Sequence, residues 1–136
     1  MSFHLKGRVR VYPTEDLEKV KNAVEQIFTP TSIEVASKPE GKVKVLVFEA
    51  EDMESLSKMQ SILKRDRVRD AVRRGLIELG EGGGIRFCLN KQVAYAGHIS
   101  LCEPVGESPL GPIEVDIRCE DTKRLIDWLS PSSREQ

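Results

Sequence analysis

Six cations fall within twelve residues of this chain, in the run KRDRVRDAVRRG at 64–75. Lys64, Arg65, Arg67, Arg69, Arg73 and Arg74 are countered there only by Asp66 and Asp70, a local charge of +4. Five of the six are arginine, whose planar guanidinium makes paired hydrogen bonds to a phosphate. Phased as a helix by Val68, Ala71 and Val72, the run turns Arg69, Arg73 and Arg74 away from a core and toward any polyanion. A reading without a ligand fits the same residues. Asp70 stands four residues before Arg74 and three before Arg73, the spacing of ordinary surface ion pairs. Arginines in a last helical turn also suit the helix dipole. A second polar group is Asn90-Lys91-Gln92, set between two apolar segments. Such a trio bonds base edges or phosphates, or merely closes a turn.

Other chemistry is harder to assemble. The three cysteines, Cys88, Cys102 and Cys119, are scattered and odd in number, and no Cys-x-x-Cys pair occurs. His4 and His98 have no neighbour at ligand spacing, so neither a metal site, a disulfide framework nor a Cys–His dyad is expected. Cys119 continues the apolar face Ile113–Val115–Ile117 and reads as a small buried side chain. The glycines of GEGGG, 80–84, lack the Lys-Ser/Thr and the following helix of a phosphate loop, and read as a mobile, hairpin-like connection. Glu49, Glu51, Asp52 and Glu54 crowd together, but no neighbour is placed to tune one as an acid and another as a base. They read mostly as a helix start, where carboxylates favour the dipole. Aromatics are 5% and no ribonucleoprotein signature occurs, so base stacking on a sheet is not expected. No catalytic residue, metal or cofactor is assigned, and the expectation is a non-enzymatic protein.

The elements that must carry these groups read as follows. Residues 5–12 alternate Arg and Val as a strand, ended by Pro13. Thr14 is placed to cap a helix with Glu15 and Asp16 in its first turn and Leu17, Val20, Val24 and Ile27 as its apolar stripe. Thr29-Pro30 stops it. Strands follow at 32–37 and 42–49, joined by a KPEG turn, the second apolar on both faces and so central. A helix from Asp52 buries Leu56, Met59, Ile62 and Leu63. Val68, Ala71 and Val72 would then lie on its far side, so a break is expected at 64–67, with Asp66 capping a short third helix that ends at Gly75. Strands are expected at 85–89 and 98–102, and 90–97 fits a hairpin or a helical turn. SPLGP, 108–112, leads rigidly into the strand IEVDIRC, and the helix TKRLIDWL stops at Ser130-Pro131. The order implies one α+β domain over 1–131, a largely antiparallel sheet with helices packed on one face, and a loose tail at 132–136. No apolar run reaches the ~18–20 residues of a membrane span, and no signal peptide is visible, so a cytoplasmic location is expected.

Several segments together, YPTEDLEKVKNAVEQIF, LNKQVAYAGHISL, SPLGPIEVDI and IDWLSP, resemble an uncharacterised archaeal protein family classed as RNA-binding-domain proteins by structural similarity. The resemblance runs in order from about residue 5 to 131. Val93 stands where that family's motif has a small residue, and Ser130 with PSSREQ departs from its usual C-terminal extension. The resemblance implies a fold similar to the ribosomal protein that binds 5S ribosomal RNA, and a structured, ribosomal or RNA-processing partner.

The leading expectation is therefore contact with RNA backbone by Arg69, Arg73 and Arg74, helped by Lys64, Arg65 and Arg67, with Asn90, Lys91 and Gln92 secondary. A net charge of −1 confines any such site to a local patch. The alternative is a protein-interaction or assembly module, a homodimer through a strand edge or a subunit of a larger complex, with no direct RNA contact.

Overall fold

Alternating burial along the main strands builds the sheet on which everything else rests. The computed structural model describes residues 2–37, 43–102 and 111–132. In chain order these form β1 (Phe3–Val11), α1 (Leu17–Ile27), β2 (Ser32–Ser37), β3 (Lys44–Ala50), a 3-10 turn (Met53–Leu56), α2 (Ser57–Arg65) and α3 (Arg69–Leu79). Next come β4 (Gly80–Glu81), β5 (Gly84–Leu89), α4 (Lys91–Tyr95), β6 (Leu101–Cys102), β7 (Ile113–Cys119) and α5 (Thr122–Leu129). The strands lie in the order β2-β3-β1-β7-β5, and β4 and β6 both pair with the outer side of β5. Every pairing is antiparallel.

Register puts one residue set on one face. Leu5 stands opposite Ala50 and Ile117, Val9 opposite Leu46 and Ile113, and Phe87 opposite Val115. All of these are buried, and the helices cover them with Val20, Val24 and Ile27 of α1, Met59, Ile62 and Leu63 of α2, Val72 and Leu76 of α3, and Leu125, Ile126 and Leu129 of α5. The expected α+β class with helices on one face is what the chain adopts. Gly7 sits among these inward positions because the Phe48 ring lies across it: a Cβ there would stand 1.9 Å from the ring. The other face carries Lys6, Arg8 and Arg10 on β1, Glu114, Asp116 and Arg118 on β7, and Arg86 on β5. It is left open.

The structure corrects several local expectations. Thr14 does not cap α1. Asp16 does, accepting from the Glu18 N–H at 2.9 Å, because Glu15 is drawn away into a buried ion pair. The third helix does not end at Gly75 but runs to Leu79, with Gly75 admitting Leu101, whose Cδ1 would lie 2.4 Å from a Cβ. Asp66 does not cap α3, whose N-cap is Val68; it ends α2 instead. Segment 90–97 is helical at Lys91–Tyr95, and the strand expected from 98 begins only at Leu101. Cys119 is half-buried at the core margin rather than buried. The glycine-rich segment is a hairpin whose two turn residues, Gly82 and Gly83, join β4 to β5, with Gly82 at φ +60°. The KPEG turn, residues 108–110 of SPLGP and 133–136 of the tail lie outside the described residues.

Candidate nucleic-acid interface

The break between α2 and α3 is a tight reversal of chain. The Val68 N–H reaches the Leu63 carbonyl at 3.1 Å and the Arg67 N–H reaches Lys64 at 3.2 Å, the two bonds of a Schellman ending. That ending needs a left-handed residue at position 67, and Arg67 supplies it with φ 58°, alone among the described non-glycine residues. Left-handed backbone costs an L residue about 1–2 kcal/mol, which is why glycine usually stands at such a position. The elbow projects Lys64 and Arg67 into solvent, and Arg74 projects from α3 beyond it. Among the described residues none of these three side chains has a hydrogen bond or ion pair.

The other cations of the run are engaged. Arg65 binds Asp66 at 2.9 Å through Nε and the Gly97 carbonyl at 2.8 Å through Nη2. His98 Nδ1 lies 2.7 Å from Asp66 Oδ2, so it donates a proton there. This cluster docks the segment after α4 against the end of α2. The bonds from Arg65 and then His98 hold the Asp66 carboxyl down at about 2. Arg69 is half-buried and has an interaction of its own. Arg73, expected to point away from the core, turns inward instead. Its side chain is 16% exposed, and it binds Asp127 at 2.6 Å and the Ser130 carbonyl at 3.2 Å, tying α3 to the end of α5. The surface pairing expected of Asp70 with Arg73 is thus replaced by a tertiary bond.

The polar trio separates into three roles. Asn90 caps α4, accepting from the Val93 N–H at 3.0 Å. Gln92 is exposed. Lys91 is fully buried and donates to Glu15 at 2.9 Å and to the Arg10 carbonyl at 2.7 Å, so its ammonium is withdrawn from any surface partner. Glu15, with its side chain 4% exposed, also accepts from the Tyr95 hydroxyl at 2.8 Å and the Tyr12 N–H at 3.1 Å. Lys91 Nζ stands 5.4 Å from the Tyr12 ring. Burial pushes the Glu15 carboxyl up, but the bonds from Tyr12, Lys91 and Tyr95 outweigh it, and the net position is below the usual value. Burial and the Glu15 charge push the Tyr95 phenol up. Sequence reasoning passed over Glu15. No local spacing reports it, because its partners Lys91 and Tyr95 are brought to it only by the fold.

The open sheet face also carries cations, several of them paired. Arg8 binds Glu114 at 2.7 Å and Arg86 binds Asp116 at 3.2 Å across the strands. A groove of about 790 Å³ crosses this face and reaches α3 at the β5 edge, and Lys6, Arg8 and Arg86 in its wall meet Glu78, Glu114 and Asp116. Within the groove, equal numbers of opposite charges leave little net field for a polyanion. The elbow has that field. Among the described residues no group of three metal-ligating side chains occurs, and no helix is long and apolar enough to cross a membrane.

The fold and the elbow together define an α+β protein with a basic run exposed at a helix–helix turn. A family model described as RNA binding matches residues 4–119, and the chain belongs to that family. Relatives are archaeal UPF0201 proteins. One from Metallosphaera sedula is 39% identical over 121 residues, covering 89% of this chain and 82% of that one. One from Methanopyrus kandleri is 42% identical over 130 residues, covering 90% and 81%. The crystal structure of a UPF0201 protein from Methanococcus jannaschii is similar with a TM-score of 0.84 at 26% identity, covering 96% of this chain and 94% of that one.

Proposed function

We propose that this protein binds structured RNA through the α2–α3 elbow, with Lys64, Arg67 and Arg74 on phosphates and no reaction catalysed. The observation that carries this reading is a local one: three exposed cations, without partners among the described residues, stand on and between the two helices that meet at a left-handed arginine. Arg65 and Arg69 belong to the same basic run, while Arg73 ties α3 to the end of α5. With few aromatics to stack bases, the contacts position RNA by shape and charge more than by sequence. The ribosomal-protein likeness implied by the sequence motifs favours a ribosomal or RNA-processing partner in the cytoplasm.

The test is a titration of a fluorescent RNA hairpin at several salt concentrations. Wild type should bind with an affinity that falls as salt rises, and Lys64/Arg67/Arg74→Ala should show a log–log slope shallower by about 2–3, roughly one per lost phosphate contact. Arg8/Arg86→Ala on the open face should leave the slope unchanged. No binding at low salt, or equal slopes for wild type and the elbow variant, sinks the proposal.

A second reading rests on one specific feature. The outer edge of β2 is unpaired among the described residues, and Val35 on it is 43% exposed. An unprotected strand edge invites a second strand, here from another copy of the chain. Sedimentation of wild type against Val35→Lys distinguishes a dimer held by that edge from a monomer.

A further inference from the structure

Two of the three cysteines are neighbours across a strand pair. Cys88 on β5 stands directly opposite Cys102 on β6, and both side chains point to the open face because Leu89 and Leu101 beside them point inward. Both are half-buried thiols, and both line the groove of about 790 Å³. Cys119 is remote from them, on the helix-covered side opposite Phe3. The Asn90 N–H bonds the Ser100 carbonyl at 2.9 Å. Counting two residues along, Cys88 and Cys102 are again a hydrogen-bonded pair, for which Cα atoms lie about 5.5 Å apart. That spacing lies within the range a disulfide spans.

We propose that Cys88 and Cys102 are a cross-strand dithiol, a modification site that closes to a disulfide when a low-molecular-weight disulfide enters the groove. The thiolate of one cysteine attacks the reagent, forms a mixed disulfide and releases one small thiol. The thiolate of the second attacks the protein sulfur of that mixed disulfide and releases the other. The two cysteines together lose two protons and two electrons, and the reagent disulfide is reduced to two thiols. A hydrogen-bonded pair holds its Cβ atoms farther apart than the ~3.8 Å of a relaxed disulfide, so β6 must move toward β5. The bond is therefore strained and easily reduced, which makes the step reversible.

The consequence lies in what β6 holds. This strand is two residues long, and its Leu101 packs against Gly75 of α3. The residues just before it bring Gly97 and His98 to Arg65 and Asp66 at the elbow. A covalent bridge at Cys102 would clamp that connection.

The test uses the full chain, incubated with oxidised glutathione, quenched by alkylation, denatured and digested without reductant. Mass spectrometry should find most of the Cys88 peptide joined to the Cys102 peptide, short of two hydrogens and released by dithiothreitol, with Cys119 alkylated. In Cys88→Ser, checked for folding by circular dichroism, Cys102 should instead retain glutathione as a stable mixed disulfide. Glutathione on both cysteines of one wild-type chain, a link to Cys119, or two unmodified thiols would each overturn the proposal. The wild-type digest decides even if the variant does not fold.

Discussion

Lys91 and the α2–α3 elbow both hold positive charge on short polar runs, yet the fold uses them in opposite ways. Lys91 finds a carboxylate, a carbonyl and an aromatic ring waiting in the interior, and its charge is consumed by Glu15. Lys64, Arg67 and Arg74 find nothing comparable and stay in water. What separates them is the tertiary position of the nearest carboxylate. Glu15 is distant in sequence and brought in by the sheet, whereas Asp66 beside the elbow is already saturated by Arg65 and His98. A cation's sequence neighbourhood therefore says less about its availability than the acids the fold delivers to it.

The largest effect should come from breaking the buried pair. Lys91→Met leaves the Glu15 carboxylate buried without its counter-charge, a change that costs about 3–5 kcal/mol. Urea unfolding at pH 7 should show it, and the RNA salt slope of the folded variant should match wild type. The pH dependence carries a sign. Glu15 has a depressed pKa in the folded wild type, so its contribution is full above the ordinary value of 4.5 and is lost as pH falls through the lowered folded value. In the variant, burial is no longer outweighed by the lysine, and Glu15 takes up a proton more readily. The gap between variant and wild type should therefore narrow from pH 7 to pH 4. A gap that stays constant would mean that Lys91 acts by packing alone.

Arg73 tests the boundary between the two regions, since it belongs to the basic run but is spent on Asp127. Asp127 holds its charge readily, its carboxyl lowered first by the bond from Arg73. Arg73→Met should lower the urea midpoint by less than half as much as Lys91→Met, because Asp127 is partly in water and the loss is screened. Its RNA salt slope should stay near that of wild type. A slope as shallow as that of Arg74→Ala would show that Arg73 leaves Asp127 for the RNA, and would erase the difference between the two regions.

The legible and illegible parts of the molecule divide along the same line. Alternation made β1 and β7 readable, because a period of two directly reports a half-buried strand, while β3 was legible as a central strand apolar on both faces. The incompatible apolar stripes of 59–63 and 68–72 placed the helix break correctly. Gly75 misled because a glycine near a helix end has two physical uses, and here close approach of Leu101 outweighed termination. Thr14 misled because capping was judged locally, while Glu15 was claimed by a lysine some 76 residues away. The basic run was legible as a patch, but the inward turn of Arg73 depended on Asp127 and the Ser130 carbonyl, which no spacing within the run reports.

The smallest effect on stability should also be the most telling, because it should have the opposite sign. Arg67 occupies the left-handed position of the Schellman ending, where glycine has no Cβ to strain. Relief of that strain is worth about 1–2 kcal/mol, and the greater freedom of glycine in the unfolded chain removes about 0.4–1 of it. Arg67→Gly should therefore raise stability slightly, by about 0.5–1 kcal/mol, while it weakens RNA binding and reduces the salt slope by about one. Strain retained at an exposed arginine with no partner among the described residues makes sense when its side chain serves something outside the fold. If the variant is instead less stable and binds RNA as before, Arg67 is held for its own packing and the elbow is an ordinary solvated turn.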